Sequence, residues 1–382
     1  MKASLGFSLR PHAAGEVEQA VTAALEGLGG TPVDALVVAA TAALGGRALA
    51  ELVERAAGLL DGAAWAGAGC QGLLLGDREI VGLPGLAVVA FSGVRAEAFH
   101  CEALAGREAE VGEEIAGQIS GEPAPEDLLV VFADSLNLAP APLLRGLAGV
   151  AGSAAVVGLG ASELPGDGPR TWAGGPPAEA GLSGLWLRAP TAPRLSVTDG
   201  SRALGEEMEV TQVRGHWVLG LDGGPALKRL EAAAGDPGRE FPARGVVARI
   251  RKPGDASAPG AHVLRNLTGF DPDRGGFALA LPPEPGDRLD FVRLDSVAAR
   301  DDLAASLAGL DSGPAGLGLY FSCHSRGERL FEHPGLESGY LARALRGAPL
   351  LGMMGAFQLA PDPRGGELLL HTYAGVLARF DA

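Results

Sequence analysis

The sequence predicts an α/β fold of mixed β-sheets with helices packed on their outer faces. Three observations carry this prediction. Apolar runs of four to eight residues bounded by Gly, Pro and Asp mark strands, and Leu/Ala spacing of three to four residues marks helices. One order of elements also recurs three times along the chain: apolar strand, polar loop, helix, apolar strand, glycine-rich turn, apolar strand.

The first unit begins at Ala35 with ALVVAA, followed by a loop over Thr41 to Gly46, a helix over Arg47 to Leu60 and a short strand to Gly67. The turn GAGCQG and the strand LAVVAF, ending near Phe91, complete it. The second runs LLVVFA from Leu128, the loop DSLNLAP, a helix near Ala141 to Leu147, the strand AAVVGLG, a glycine- and proline-rich loop and LSGLWLRA. The third runs GLGLYFS to Ser322, then CHSRG, a helix over Leu336 to Leu345, the strand PLLGMM, a turn to Pro361 and ELLLHTYAGVLARF. Each unit is about 60 residues. A helix between the first two strands lets them run parallel, while the short turn before the third favours antiparallel pairing. An Ala-, Gly- and Leu-rich chain can also imitate itself by composition alone, and this second explanation of the repetition stays open.

Between units two and three the pattern changes. RGHWVLGLDGG reads as strand and turn, and PALKRLEAA as a short helix with proline at its first position. From Gly245 to Asp295, GVVARI, HVLRNLTGF, FALALP and RLDFVRL alternate with turns and predict an inserted antiparallel hairpin segment. The length, 382 residues, exceeds the roughly 250–300 at which one core stops growing, so two domains are expected, 1–214 and 215–382.

With 31 basic against 46 acidic residues, the net charge of −15 repels phosphate backbones and anionic head groups, which argues against nucleic acid as a partner. Met1 to Glu16 holds no apolar signal region, and the longest uncharged run, Gly146 to Ser162, is shorter than the roughly 18 residues of a membrane span. Cys70, Cys101 and Cys323 are odd in number and widely separated. Such cysteines fit a reducing compartment, and a cytoplasmic protein without membrane insertion is expected.

Gly67, Gly69 and Gly72 spell GxGxxG, but the residues after them read as strand and turn rather than the helix a dinucleotide fingerprint needs. Cys323 and Arg329 have phosphatase-loop spacing, but Glu328 would place a negative charge in the anion cradle. The spacing of Cys323, His324, His333 and His371 matches no structural zinc pattern, so no metal site is assigned. Asp134, Ser135 and Asn137 form a polar cluster after the second unit's first strand; it reads either as a helix N-cap region or as part of a pocket at strand C-termini.

SCHSRGERLF, APLLGMMGAFQLAP and LLLHTYAGVLARF together resemble the C-terminal part of FIST proteins (F-box and intracellular signal transduction). LGLDGGPALKRL resembles the family's junction, and RNLTGFDPDRGGFALALPPEPGDRLDFVRLD its middle hairpins. GAGCQG, VVGLGAS and the stretch from Gly200 to Thr211 resemble the N-terminal half. The resemblance implies a sensory, ligand-binding module of N- and C-terminal parts that senses small molecules such as amino acids; some bacterial members are associated with haem and nitric oxide. Cys323, Arg326 and Gly327 occupy the family's Cys-x-x-Arg-Gly turn, and His371 with Thr372 its closing strand. Two departures stand out. Phe357, Gln358 and Leu359 replace Gly-Glu-Ile, turning a carboxylate into an amide, and Gly200, Ser201, Arg202 and Ala203 replace Gly-Cys-Arg-Pro.

The expected function is non-catalytic sensing of an amino acid or related small carboxylate. Arg202 and Arg326 are the candidates for its anionic group, because a guanidinium offers a planar fork matched to a carboxylate; surface ion pairing is the competing role for both. Gln358, His371, Ser135 and Asn137 are candidates for neutral hydrogen bonds, backbone amides at Gly69 and Gly72 could complete the site, and Cys323 lies in the same turn. The chain ends at Ala382 after its last strand, so a signalling protein in trans or homo-oligomer contacts would carry the output. A haem-binding nitric oxide sensor and a cysteine-dependent enzyme using Cys323 are the alternatives.

Overall fold

Runs such as ALVVAA and LLVVFA are apolar at every position, so their strands must be covered on both faces. A computed structural model of the 382-residue chain, describing all residues except 61, 137, 163–167, 236–244, 254–261, 311–312 and 363–366, shows how. The chain divides into two compact units. The first comprises Met1–Val197, Ala304–Pro361 and Gly366–Ala382, and the second Thr198–Leu303 with Asp362–Gly365.

The chain opens with β1 (Lys2–Ser8), α1 (Glu16–Glu26), β2 (Ala35–Thr41), α2 (Gly46–Ala57) and β3 (Ala64–Cys70). The hairpin β4 (Gly72–Leu75) and β5 (Arg78–Val81) follows, then β6 (Leu86–Ser92), β7 (Arg95–Cys101) and α3 (Val111–Ala116). Next come β8 (Asp127–Ala133), α4 (Pro140–Ala151), β9 (Ala155–Gly160), the pair β10 (Arg170–Ala173) and β11 (Ala178–Glu179), β12 (Leu182–Arg188) and β13 (Arg194–Thr198). The segment of changed character holds β14 (Ser201–Ala203), β15 (Met208–Arg214), β16 (Trp217–Leu221), β17 (Gly224–Pro225), α5 (Ala226–Ala234), β18 (Val246–Arg251), β19 (Val263–Asp271), β20 (Gly276–Leu279) and β21 (Arg288–Leu294). After α6 (Ser296–Ala308) the chain ends with β22 (Ala315–Cys323), α7 (Glu328–Phe331), α8 (Leu336–Leu345), β23 (Leu350–Gly355), the pair β24 (Gln358–Pro361) and β25 (Leu368–His371), and β26 (Gly375–Asp381).

In the first unit one motif is built three times. Parallel pairs β2–β3, β8–β9 and β22–β23 are crossed by α2, α4 and α8, and β6, β12 and β26 lie antiparallel beside the first strand of each pair. The third strand is therefore antiparallel as expected, but its neighbour is the first strand and not the second. What lies beside the second strand is a hairpin from another repeat. β4–β5 extends the sheet of β22 and β23, β10–β11 that of β2 and β3, and β24–β25 that of β8 and β9. The exchange is cyclic, and backbone bonds repeat it: the carbonyls of Gly69, Gly160 and Met354 accept from the N–H groups of Ser162, Ala356 and Gln71 at 3.0, 2.9 and 2.8 Å.

This exchange corrects the reading of GAGCQG as a turn. Gly69 ends up in β3 and Gly72 in β4, with only Gln71 between the two strands, so neither belongs to a glycine-rich turn. The glycine two residues before Gly69 has a packing cause. A Cβ on Gly67 would stand 1.7 Å from the Val38 carbonyl oxygen, and on Gly158, at the same register of β9, 1.9 Å from that of Val131.

The three sheets share one apolar core, to which Val37, Ala39, Val130, Phe132, Leu319 and Phe321 contribute from alternating positions of β2, β8 and β22. The outer faces carry helices, with α1 and α2 on the first sheet and α3 and α4 on the second. In the second unit the predicted hairpins close on themselves: β15, β16, β20, β19, β18 and β21 pair in turn and β21 returns to β15. Val210, Val218, Phe277 and Phe291 fill this small barrel, together with Leu227 and Leu230 of α5. Among the described residues no helix is long and apolar enough to cross a membrane.

Candidate functional site

Repetition supplies a control for every side chain, because a position that only packs should be apolar in all three repeats. Thr41 and Cys323 end β2 and β22 and Asp134 directly follows β8, and their N–H groups bond to the carbonyls of Gly85, Ala374 and Gly181 at 2.9, 2.9 and 2.8 Å. The third repeat then departs from the other two at two places.

The first departure is a buried charge network. Arg326 Nε donates to Glu337 Oε1 at 2.7 Å, and neither side chain is exposed to solvent. Arg326 Nη1 donates to the Tyr373 carbonyl at 3.2 Å, and its guanidinium lies 5.3 Å from the Phe331 ring centre. Glu337 also accepts from Tyr320 Oη at 2.7 Å and Ser322 Oγ at 3.4 Å. Where α8 begins its buried stripe with Glu337, α2 and α4 begin theirs with Leu49 and Leu143. Val38 and Val131 stand at the register of Tyr320, and Ala40 and Ala133 at that of Ser322. Burial, and then the Glu337 charge, hold the Tyr320 hydroxyl well above the ordinary tyrosine pKa. Glu79 of β5 joins from the exchanged hairpin: its Oε1 accepts from the Ser338 N–H at 3.1 Å, and burial raises its carboxyl pKa.

The second departure is Gln358. It sits opposite His371 in the β24–β25 ladder and opposite Leu159 of β9. The same register holds Leu73 opposite Ile80 in the first exchanged hairpin and Thr171 opposite Ala178 in the second. Leu359 and Leu370 turn to the helix side and Ala360 to the core shared by the sheets, so Gln358 and His371 face that core as well. Both are buried. Thr171 accepts from Ser183 Oγ at 3.0 Å, whereas neither Nε2 nor Oε1 of Gln358 has a hydrogen-bond partner among the described residues. The turn after β25 ties this pair to the first network, because Tyr373 receives Arg326 and Ala374 receives the Cys323 N–H at 2.9 Å.

The structure thus links four of the sequence candidates, Cys323, Arg326, Gln358 and His371, through one turn. Cys323 is buried, and its Sγ accepts from Ser325 Oγ at 3.0 Å. Ser135 is half-buried beside Asp134, whose Oδ1 accepts from the Leu136 N–H at 2.7 Å, an Asx turn of the N-cap kind. Asn137 lies outside the described residues. Arg202 is in the second unit, on β14, with its side chain 65% exposed and paired to Asp295 at 3.2 Å. Among the described residues no three His, Cys, Asp or Glu side chains are grouped to hold a metal ion.

Glu337, Tyr320, Ser322 and Glu79 were missed from the sequence. One signal was available for Glu337: it falls on the stripe 337, 341, 345 of the predicted helix, a charge in line with Leu341 and Leu345. Glu79 gave none, since its place depends on the exchange of hairpins.

Two uncharacterized proteins of Mycobacterium tuberculosis, MT0656 of strain CDC 1551 / Oshkosh and Rv0628c of strain H37Rv, are each 28% identical to the chain over 394 residues, covering all of both sequences. Among solved structures, cyanuric acid hydrolase from A. caulinodans matches with a TM-score of 0.28 and 13% identity over 49% of this chain and 72% of that one. The FIST N domain matches residues 35–224 and the FIST C domain residues 226–361. With both of its domains present in order across most of the length, the chain belongs to the FIST family of sensory domains.

Proposed function

We propose that the protein is a small-molecule sensor that holds an amino acid or a closely related small carboxylate at Gln358 and His371, without chemistry, and passes its state to a separate partner. One observation carries this reading: among the described residues nothing engages either the donor or the acceptor of the buried Gln358 amide. Leaving a buried polar group unmet costs about 1–3 kcal/mol. An amino acid zwitterion, neutral overall, answers both ends of an amide, its carboxylate accepting from Nε2 and its ammonium donating to Oε1. His371, directly across the ladder, adds a second polar contact.

The charge of Arg326 is matched inside the chain by Glu337, so its part is to position the Tyr373 turn that leads from His371 to Cys323. Arg202, exposed and paired, takes no part in this reading.

Thermal unfolding of the full chain with a panel of amino acids, small carboxylates and haem tests it, since a ligand at a hundred times its Kd adds about 2.7 kcal/mol to the native state. One narrow chemical group is expected to raise the Tm of the wild type and to leave that of Gln358→Leu unmoved. A panel without effect, or an equal shift in Gln358→Leu, overturns the assignment. Light scattering and pull-downs with and without the active compound test the output; unchanged mass and no partner would remove signalling in trans.

A further inference from the structure

We propose that the barrel of the second unit binds a small carboxylate with an apolar body, and that Arg265 is the residue that holds its charged end. Arg265 lies on β19 and is 8% exposed. A guanidinium carries five N–H donors. Here Nη1 donates to the carbonyl of the preceding Leu264 at 2.9 Å, and among the described residues no carboxylate pairs with the group. Burial draws its pKa down to about 10, which still leaves it charged at neutral pH.

The register sets this charge among hydrocarbon. Arg265 stands opposite Ala248, which in turn stands opposite Phe291, and Val263 and Leu267 flank it on the same face of β19. At one end of the barrel α5 packs where β19 and β20 join at Asp271 and Gly276, the Leu227 N–H bonding to the Gly275 carbonyl at 2.9 Å. Arg265 stands toward the other end, where β19 begins with Val263 opposite Ile250. The neighbouring cations are matched inside the chain: Arg249 and Arg251 of β18 pair with Asp290 and Glu207, and Lys252 after them with Glu284 and Asp287. With 46 acidic residues against 31 basic ones the chain has carboxylates in excess, yet none is set against Arg265 among the described residues. A buried charge is costly unless it is paired and hydrogen-bonded, so this one calls for an anion from outside the chain. A carboxylate matches the guanidinium fork with two parallel bonds. The apolar walls favour a single charge on an aliphatic body over an inorganic dianion, which loses more hydration on entry.

The site is independent of Gln358, which belongs to the first unit. The test follows thermal unfolding of the full chain, at constant ionic strength, with isobutyrate, its neutral counterpart isobutyramide, and inorganic phosphate. Isobutyrate is expected to raise the Tm saturably, and isobutyramide and phosphate to leave it in place. Arg265→Met is expected to keep or exceed the unliganded Tm and to lose the response. Arg265→Lys, which keeps the charge without the fork, is expected to weaken isobutyrate at least tenfold, and it decides the matter should Arg265→Met fail to fold. Gln358→Leu is expected to respond to isobutyrate as the wild type does, and a compound acting at Gln358 to keep its effect in Arg265→Met, so that failure at one site is told from failure at the other. Equal stabilisation by isobutyramide or phosphate, an undiminished response in Arg265→Met or Arg265→Lys, or no saturable shift overturns the proposal; loss of the response in Gln358→Leu would place isobutyrate in the first unit instead, and would overturn it too.

Discussion

Arg326 and Glu337 form an ion pair from which water is wholly excluded, 2.7 Å from Nε to Oε1, and Glu337 stands where the helices of the other two repeats carry Leu49 and Leu143. Desolvating two charges costs more than most such pairs return, so the pair is weak evidence for stability but a strong constraint on single substitutions. Glu337→Leu places the side chain found at Leu49 and Leu143, yet strands the guanidinium. The expected loss is about 3–5 kcal/mol. The double variant Arg326→Met, Glu337→Leu removes both charges and is expected to recover most of that loss. Urea unfolding of the two single variants and the double measures this, and losses that simply add would show that the pair is not coupled.

The carboxyl of Glu79 behaves differently, because among the described residues no cation pairs with it. Burial raises its pKa and the Glu337 charge adds to this, while N–H donors at the start of α8, Ser338 among them, pull the other way. A carboxyl whose pKa is higher in the folded than in the unfolded chain contributes stability that is complete below the unfolded value, about 4.3, and lost as the pH rises through the folded one. Glu79→Gln keeps an acceptor for the Ser338 N–H and cannot ionise. Its Tm is therefore expected to gain on that of the wild type as the pH rises from acid to neutral. A wild type that gains on the variant over that range would reverse the sign and refute the argument.

The triple motif was legible because its local parts are local in cause. A fully apolar strand, a helix with a buried stripe and a second strand bearing a glycine at one register, Gly67, Gly158 and Gly352, recur at matching places. The exchange of hairpins was not legible, since β4 carries no mark that says which repeat it will join. GAGCQG misled for a related reason: glycines that read as a turn are, at Gly67, demanded by the approach of the Val38 backbone and of the Trp172 indole, which donates to the Val38 carbonyl at 3.2 Å. For the site, the turn CHSRG and the Gln358 departure could be read from the chain. Glu337, the partner that neutralises Arg326, came into view only when α8 was laid on the sheet, and the expectation of an anion bound by Arg326 overlooked it.

Arg265 on β19 is buried in the second unit, opposite Ala248 of the barrel core, and its Nη1 donates to the carbonyl of the preceding Leu264, at 2.9 Å. Among the described residues it has no carboxylate partner, and burial pulls its pKa down to about 10. A desolvated ion costs several kcal/mol even after relaxation. Arg265→Met keeps the length of the side chain without the charge and is expected to raise stability by at least about 1 kcal/mol in urea unfolding. A loss of that size would mean that the guanidinium is held by more than its neighbour's carbonyl.

The cysteines decide between binding and covalent chemistry. Burial pushes the thiols of Cys70 and Cys101 up to about 12. At pH 8 such a thiol is ionised to roughly one part in ten thousand, against about a quarter for an unperturbed one, and the thiolate is the species that reacts. Both are therefore expected to resist iodoacetamide in the native protein and to label at once in urea, as peptide mass spectrometry would show. Cys323 is only 3% exposed, and its sulfur receives the Ser325 hydroxyl, so access alone should keep it slow. A nucleophile at the end of β22 would give the opposite pattern. Fast native labelling of Cys323, suppressed by a compound that also raises the Tm, would replace retention of an unreacted ligand with chemistry at that sulfur.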